Sequence, residues 1–150
     1  MTFLTELFTN KIFIAAAVAW FVAQVLKTLL CLFFERKFII ERLVGSGGMP
    51  SSHSSTVCAL ATATGMQYGG GSFEFAVTCI FAIIVMYDAR GVRMETGKQS
   101  KILNEMVELF YHMGKDFTPQ EKLSELVGHT PLQVLMGAIL GIGIGVLYMI

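Results

Sequence analysis

Long apolar runs dominate the hydrophobic pattern of this chain. Runs long enough to cross a bilayer as a helix, roughly 17–25 residues each, recur along it. One further segment is rich in serine, threonine, alanine and glycine, and its weak hydropathy suits a helix packed among other helices. The pattern predicts four transmembrane helices, at about Ile12 to Phe34, Pro50 to Tyr68, Phe73 to Tyr87 and Leu132 to Ile150.

Shorter amphipathic segments lie between these spans. Residues 1–10 place apolar side chains at helical spacing, which predicts a short interfacial helix. Apolar residues also repeat at helical spacing from Ile102 to Met113, opposite charged ones, and predict a helix on the membrane surface that stops near Gly114. Two capping signatures, at 118–121 and 130–133, predict a short helix ending at Gly128 and the start of the last span. With no internal repeat and no linker, residues 1–150 are expected to form a single integral membrane domain.

Composition supports an all-α, polytopic membrane protein. Hydrophobic residues make up 54% of the chain and charged residues 15%, and the mean hydropathy is +0.64, which excludes an ordinary soluble domain. The formal net charge is zero, so nothing suggests nucleic acid as a partner. The three cysteines lie in apolar runs without zinc-type or disulfide spacing, and neither a metal nor another cofactor is expected.

Basic residues are distributed unevenly between the two sides that four alternating spans would create. One side has only Lys11. The other side has Arg36, Lys37, Arg42, Arg90, Arg93, Lys98, Lys101, Lys115 and Lys122. The positive-inside rule predicts that this basic side faces the cytoplasm of a bacterial-type cell membrane.

The segment Gly47 to Ser55, GGMPSSHSS, stands out among the polar stretches. Its glycines allow close backbone approach, and Pro50 suits a first helical turn. Ser51 and Ser52 add hydroxyls at a helix start, where unpaired N–H groups favour anions. His53 would then lie one turn inside an anion site, as an acid, base or nucleophile. The simpler alternative is a glycine turn with a serine cap and a surface histidine.

Several further polar residues are expected on the same basic side. His129 lies just before the last span, and Asp88, Arg90 and Arg93 lie at the end of the third. Lys27 shares a face of the first span with Gln24, and an intramembrane lysine indicates function unless it reaches the interface by snorkelling. Two histidines, a carboxylate and several cations at one depth suit phosphoryl transfer. Solvated span ends would be the alternative.

Three motifs together resemble a known family. GGMPSSHSS, YDARGVR with GKQSKILN, and LVGHTPLQVLMGAILG are similar to the divergent branch of the type 2 phosphatidic acid phosphatase family, which is related to membrane lipid phosphatases and vanadium haloperoxidases. The resemblance runs from Ala19 to Gly141. It implies a helical membrane bundle of that family's type, although the parent architecture commonly has six spans. The four visible here imply a trimmed bundle, or one that a second copy completes as a homo-oligomer.

The resemblance also implies roles for individual residues. Pro50 to His53 matches the parent's Pro-Ser-Gly-His motif except at Ser52, which makes His53 the general acid and Ser51 a phosphate ligand. His129 matches the nucleophilic histidine. The parent's serine–arginine pair and aspartate are missing, because Lys122, Leu123 and Gln133 occupy those positions. The parent's first motif is absent as such, and the loose candidates for its charges are Lys27, Arg36, Lys37 and Arg42.

One hypothesis assigns the roles of the parent's missing arginine and aspartate to other residues of this chain. Asp88 would orient His129, while Arg90 and Arg93 would replace the missing phosphate-binding arginine; pairing of Asp88 with one of those arginines is the alternative. The catalytic candidates are therefore His129, His53 and Asp88. The phosphate-binding candidates are Ser51, Ser52, Arg90, Arg93, Lys27 and Arg42.

Two functions follow from this set. The first is a metal-independent phosphatase that acts on a lipid phosphate or pyrophosphate through a phosphohistidine on His129, with membrane lipids as its surroundings. The second is a non-catalytic protein on the same fold that binds a lipid phosphate for transport or scaffolding. The missing aspartate and arginine favour the second, and the two histidines favour the first.

Overall fold

The computed structural model describes residues 2–35, 48–113, 123 and 128–150 of the chain, and they form an all-helical bundle. Within these ranges the helices are α1 (Phe3–Thr9), α2 (Lys11–Glu35), α3 (Ser52–Tyr68), α4 (Phe73–Arg90), α5 (Val92–His112) and α6 (Pro131–Met149). No strand occurs among the described residues. The prediction of an all-α bundle is confirmed.

Helix α3 is the central helix of the bundle, since α2, α4 and α6 all pack against it. It is less apolar than α2, α4 and α6, and most of its side chains from Ser52 to Thr64 are nevertheless buried. Small side chains let neighbouring backbones approach closely, so a serine- and alanine-rich helix is stabilised by contact rather than by transfer out of water. The predicted position of this helix among other helices is confirmed.

Glycines of α6 make the closest of these helix contacts. Gly137, Gly141 and Gly145 are buried and face α3. A Cβ atom at Gly141 would overlap with the backbone carbonyl of Ser55, and one at Gly137 would overlap with that of Ser51. The spacing of four residues puts all three on one face of α6.

Three helical stretches are long and apolar enough to cross a membrane, namely Lys11–Phe33, Phe73–His112 and Pro131–Met149. Together with α3 at their centre they fit the prediction of about four spans. The third span differs from its predicted end at Tyr87, because α4 continues to Arg90 and α5 begins after the single residue Gly91. Asp88 and Arg90 therefore belong to a helix end and not to a loop.

The amphipathic helix predicted after the third span corresponds to α5. Its Asn104 side chain bonds the backbone of Leu123 twice, as donor to the carbonyl at 2.9 Å and as acceptor from the N–H at 3.1 Å. Gly114 and most of the predicted helix at 118–128 lie outside the described residues. Arg42 and the rest of residues 36–47 lie outside them as well.

Candidate phosphate site

The start of α3 is fixed by hydrogen bonds to the neighbouring helices. Ser51 is its N-cap, and the Ser51 hydroxyl accepts from the N–H of Ser54 at 3.3 Å. The N–H of Ser51 donates to the carbonyl of Gln133 in α6 at 3.0 Å. The Ser55 hydroxyl donates to the carbonyl of Ala19 in α2 at 3.1 Å. Pro50 therefore precedes the cap rather than occupying the first helical position, because Ser51 supplies the capping oxygen.

His53 is the second residue of this fixed helix start. The N–H groups of a helix's first turn have no partner within the helix, and the helix dipole makes that end partially positive. The hydroxyl of Ser54 and Nδ1 of His53 are buried and have no hydrogen-bond partner among the described residues. These groups lie where the sequence motif predicts an anion.

His129, which comes just before α6, lies beside His53 at the start of α3. It is 1% exposed, and its N–H donates to the carbonyl of Ala89 at 3.0 Å. Because α4 ends at Arg90, the Ala89 carbonyl is one of the last four of that helix and needs a partner from outside it. Gly128, with a φ of 98°, brings the chain into this position.

The imidazole of His129 is held by Gln133. Its Nδ1 lies 3.3 Å from Oε1 of Gln133, and the same oxygen accepts from the N–H of Thr130 at 3.0 Å. The backbone donor identifies that amide atom as oxygen, which can only accept. His129 Nδ1 must then carry the hydrogen, and Nε2 keeps its lone pair. Nε2 is buried and has no hydrogen-bond partner among the described residues.

The neutral form of His129 is also favoured by its surroundings. Burial lowers the pKa of His129 from 6.5 to about 4. The hydrogen bond that His129 donates to Gln133 opposes this shift, while the charges of Lys27, His53 and Arg93 reinforce it.

The two histidine rings are neighbours. The ring centroids of His53 and His129 lie 5.7 Å apart with an interplanar angle of 62°. A phosphate would sit beside both rings, since this edge-to-face contact leaves no room between them. The side chain of Lys27 is also buried, with 2% exposure. The alternative, in which Lys27 snorkels to the membrane interface, therefore does not agree with the structure.

Asp88 pairs with Arg93 and not with His129. The Arg93 Nε atom lies 2.8 Å from Oδ2 of Asp88, and both side chains are 42% exposed. The hypothesis that Asp88 orients His129 therefore needs correction, because Gln133 occupies Nδ1 of the ring and the carboxylate is engaged by Arg93. The alternative, pairing of Asp88 with an arginine, agrees with the structure. Arg90 is exposed.

Two groups at the site have roles that the sequence does not specify. Gln133 occupies the position of the parent's aspartate and belongs to the capping signature at 130–133, and it both bonds His129 and caps α6. The Ala89 carbonyl, a backbone group, gives no sequence signal except the glycine at position 91, which ends α4. Among the described residues, no three His, Cys, Asp or Glu side chains come together as a metal site.

Comparison with known proteins agrees with this architecture. The model of the family described as "Divergent PAP2 family" matches residues 8–144. The "Uncharacterized membrane protein YuiD" of Bacillus subtilis (strain 168) is 40% identical over 146 residues, covering 91% of this chain and 92% of that protein. No solved structure matches the chain. The chain is an integral membrane protein, and it belongs to the Divergent PAP2 family.

Proposed function

We propose that this protein is a metal-independent phosphatase that hydrolyses a lipid phosphate or lipid pyrophosphate through a phosphohistidine on His129. The observation that supports this most strongly is the state of that ring. Gln133 fixes the hydrogen on Nδ1, which leaves a buried nucleophilic lone pair on Nε2 beside a second histidine. A purely structural buried histidine would be expected to use both ring nitrogens in hydrogen bonds.

The charges around the ring support binding of a phosphate. Lys27 is buried, and Arg93 is close enough to influence the pKa of His129. The N-terminus of α3 adds unpaired N–H groups and a partial positive charge. An anion would be attracted to these positive groups, and phosphoryl transfer depends mainly on such positioning and charge neutralisation.

The reaction has two steps. Nε2 of His129 attacks phosphorus, the bond from phosphorus to the leaving oxygen breaks, and His53 in its protonated form donates a proton to that oxygen. Water then attacks the phosphohistidine, His53 takes up a proton from it, and the nitrogen–phosphorus bond breaks to release phosphate. His53 thus ends the cycle protonated, as it began.

An amphipathic substrate fits the location of the site. The two histidines lie where α3 begins and just before α6 begins, at one end of apolar helices. A lipid headgroup at the membrane interface would reach this depth without its tail leaving the bilayer.

One observation favours the second candidate, a non-catalytic lipid-phosphate binder. The Nδ1 partner of His129 is an amide, and an amide stabilises a developing imidazolium less well than a carboxylate does. The same histidines, cations and helix N-terminus could then bind a phosphate without transferring it.

The two candidates are separated by assaying purified protein in uncharged detergent with phosphatidic acid, a polyprenyl pyrophosphate and p-nitrophenyl phosphate. Phosphatase activity predicts phosphate release that is lost in His129→Ala and in His53→Ala. It is retained in His112→Ala, the matched control, because His112 is exposed on α5. Rapid quenching with ³²P-labelled substrate is expected to trap a base-stable, acid-labile phosphoprotein in the wild type but not in His129→Ala.

Unchanged turnover in His129→Ala would exclude His129 as the nucleophile. Tight binding of the lipid phosphate without any release in the wild type would establish the binder instead.

A further inference from the structure

The first turn of α5 supports the residue that carries the proposed nucleophile. Arg93, in this turn, bonds Asp88 near the end of α4. Gly128 lies against the same turn, since a Cβ atom there would overlap with the backbone nitrogen of Met94. His129 follows Gly128 directly, so its position depends on where α5 begins and how that helix is oriented.

A second contact attaches the chain before His129 to α5 further along the helix. The Asn104 side chain donates to the carbonyl of Leu123 at 2.9 Å and accepts from its N–H at 3.1 Å. Asn104 is ten residues after Met94, about 15 Å along the helix axis. The chain that leads into the site is therefore attached to α5 at two points, one at the start of the helix and one near its middle.

The side of α5 that faces away from these contacts is apolar. Gly97 is buried, and Asn104 lies two turns further along the same side. Met106 is nine residues after Gly97, about 180° around a helix with 3.6 residues per turn. Ile102 and Leu109 lie beside Met106, and the three side chains are 58%, 64% and 46% exposed in that order. Ile102, Met106 and Leu109 thus form an outward stripe on α5.

This outward stripe adjoins the bilayer. Helix α5 begins after the single residue Gly91, and α4 before it lies in a stretch long and apolar enough to cross a membrane. Among the described helices, α5 packs only against α4. Leu123 bonds the side of α5 that carries Asn104, opposite to the stripe. An amphipathic helix in such a place binds in the plane of the membrane interface, with its apolar face toward the acyl chains.

We propose that the outward stripe of α5 binds the membrane interface, and that this contact, acting through Asn104 and Gly128, holds His129 in position at the phosphate site. The inference rests on the proposed function for the role of His129. It commits to lipid because the helix directly before α5 crosses the bilayer, so the stripe begins at the membrane boundary. Lipid contact favours the one orientation of α5 that buries the stripe, and the chain attached to α5 adopts the matching position.

The location of the stripe can be measured by tryptophan fluorescence. Trp20 is the single tryptophan of the chain, so Trp20→Phe provides a background without one. Met106→Trp places a probe in the stripe, and Glu108→Trp, about 160° away around the helix, is the matched control. In nanodiscs of phosphatidylcholine with brominated acyl chains, we expect at least twofold stronger quenching for Met106→Trp. Equal or weaker quenching than for Glu108→Trp would overturn the proposal and assign the stripe to water or to a second copy of the chain.

The effect on the site can be measured with diethyl pyrocarbonate, which acylates the lone-pair nitrogen of a neutral imidazole. Mass spectrometry gives the rate for His129 relative to exposed His112 in the same molecules, and the wild-type ratio should be low because His129 is 1% exposed. In phosphatidylcholine nanodiscs, Met106→Glu, which charges the stripe, and Asn104→Ala, which removes an attachment, should each raise the ratio about fivefold. Lys101→Glu is the matched control, because Lys101 is exposed about 140° from Met106, and it should change the ratio less than twofold.

Buried Cys58 distinguishes displacement of His129 from unfolding. Its thiol should stay unreactive toward N-ethylmaleimide in every folded variant, and Met106→Gln replaces Met106→Glu if the glutamate unfolds the protein. An unchanged His129 ratio in either the stripe variant or Asn104→Ala would overturn the proposal. Neither measurement requires turnover. Absence of phosphate release from the wild type would therefore contradict the proposed phosphatase alone, whereas equal quenching or an unchanged ratio would contradict the role of α5 alone.

Discussion

The backbone N–H of His129 donates a 3.0 Å hydrogen bond to the carbonyl of Ala89. This bond joins the last turn of α4 to the residue before the N-cap of α6, and the two helices make few other contacts. Gly91 ends α4 directly after this turn, which leaves the carbonyl accessible to a partner from another segment. The position of the proposed nucleophile thus depends on backbone groups.

Gly128→Ala is expected to displace His129. Gly128 has a φ of 98°, and a Cβ atom there would overlap with the backbone N–H of Met94 at the start of α5. Backbone cannot move aside as a flexible side chain can. We expect a loss of about 2 kcal/mol or more in stability, and a loss of phosphatase activity larger than the stability change explains. Thermal unfolding in detergent and phosphate release measure the two.

Gly69→Ala is the control for backbone strain alone. Gly69 also has a positive φ, of 85°, but a Cβ atom there would meet nothing within 4 Å. We expect about 1 kcal/mol of destabilisation and unchanged activity. Equal effects of the two substitutions on activity would contradict the positioning role of Gly128.

Gly141→Ala is expected to separate α6 from α3. The added methyl group would overlap with the carbonyl of Ser55, whose hydroxyl in turn bonds the Ala19 carbonyl. We expect at least about 2 kcal/mol of destabilisation, since overpacked cores typically lose 1–3 kcal/mol. Gly143→Ala in the same helix has open space around its Cβ and should be neutral or stabilising. Thermal melting of the pair measures the difference, and indistinguishable melting temperatures would contradict the close α3–α6 contact.

Much of this architecture could be predicted from hydrophobic pattern and caps. The serine- and alanine-rich composition of 50–68 correctly predicted a helix enclosed by others, because small residues suit close contact. The capping signature at Thr130 is confirmed in detail: its hydroxyl accepts from Gln133 N–H and the Gln133 side chain accepts in return.

The orientation of individual side chains could not be predicted in this way. Asp88 and Arg93 lie five residues apart across a helix break, and no sequence pattern distinguishes their pairing from contact of Asp88 with His129. Lys27 could equally have reached the interface, since its burial depends on how α2 packs against the other helices. Tertiary packing determines these side-chain positions.

Gln133 is expected to orient His129, and substitutions there test its two roles. Gln133→Leu removes both the cap and the Nδ1 acceptor, so we expect about 1 kcal/mol of destabilisation and at least tenfold slower turnover. Gln133→Glu keeps an acceptor for both N–H groups and adds a charge that stabilises imidazolium. Its turnover should equal or exceed that of the wild type, as measured by kcat at saturating lipid phosphate. Equal turnover in all three proteins would contradict the orienting role.

Arg93 rather than Arg90 is expected to bind phosphate. Arg93 influences the pKa of His129 and bonds Asp88, while Arg90 is exposed. Because the pair with Asp88 is partly exposed, Arg93→Gln should change stability by less than about 1 kcal/mol. A lost charge-assisted hydrogen bond to phosphate should raise KM by about tenfold or more. Arg90→Gln is the matched control, expected within about twofold, and a larger effect there than at Arg93 would reverse the assignment.

The stability of the protein is expected to depend on the protonation of His129, because this histidine is buried. With a folded-state pKa of about 4 against an ordinary 6.5, the native state binds this proton less readily than the unfolded chain does. This group therefore has no effect on the free energy of unfolding above pH 6.5, and it lowers that free energy by up to about 3 kcal/mol as the pH falls from 6.5 to 4. The stability advantage of the wild type over His129→Gln should therefore shrink across that window in thermal unfolding. Histidine ring NMR signals, assigned with the same variant, should titrate near pH 4. A midpoint at or above 6.5 would contradict a buried neutral ring, and with it the lone pair on Nε2 that the proposed chemistry needs at neutral pH.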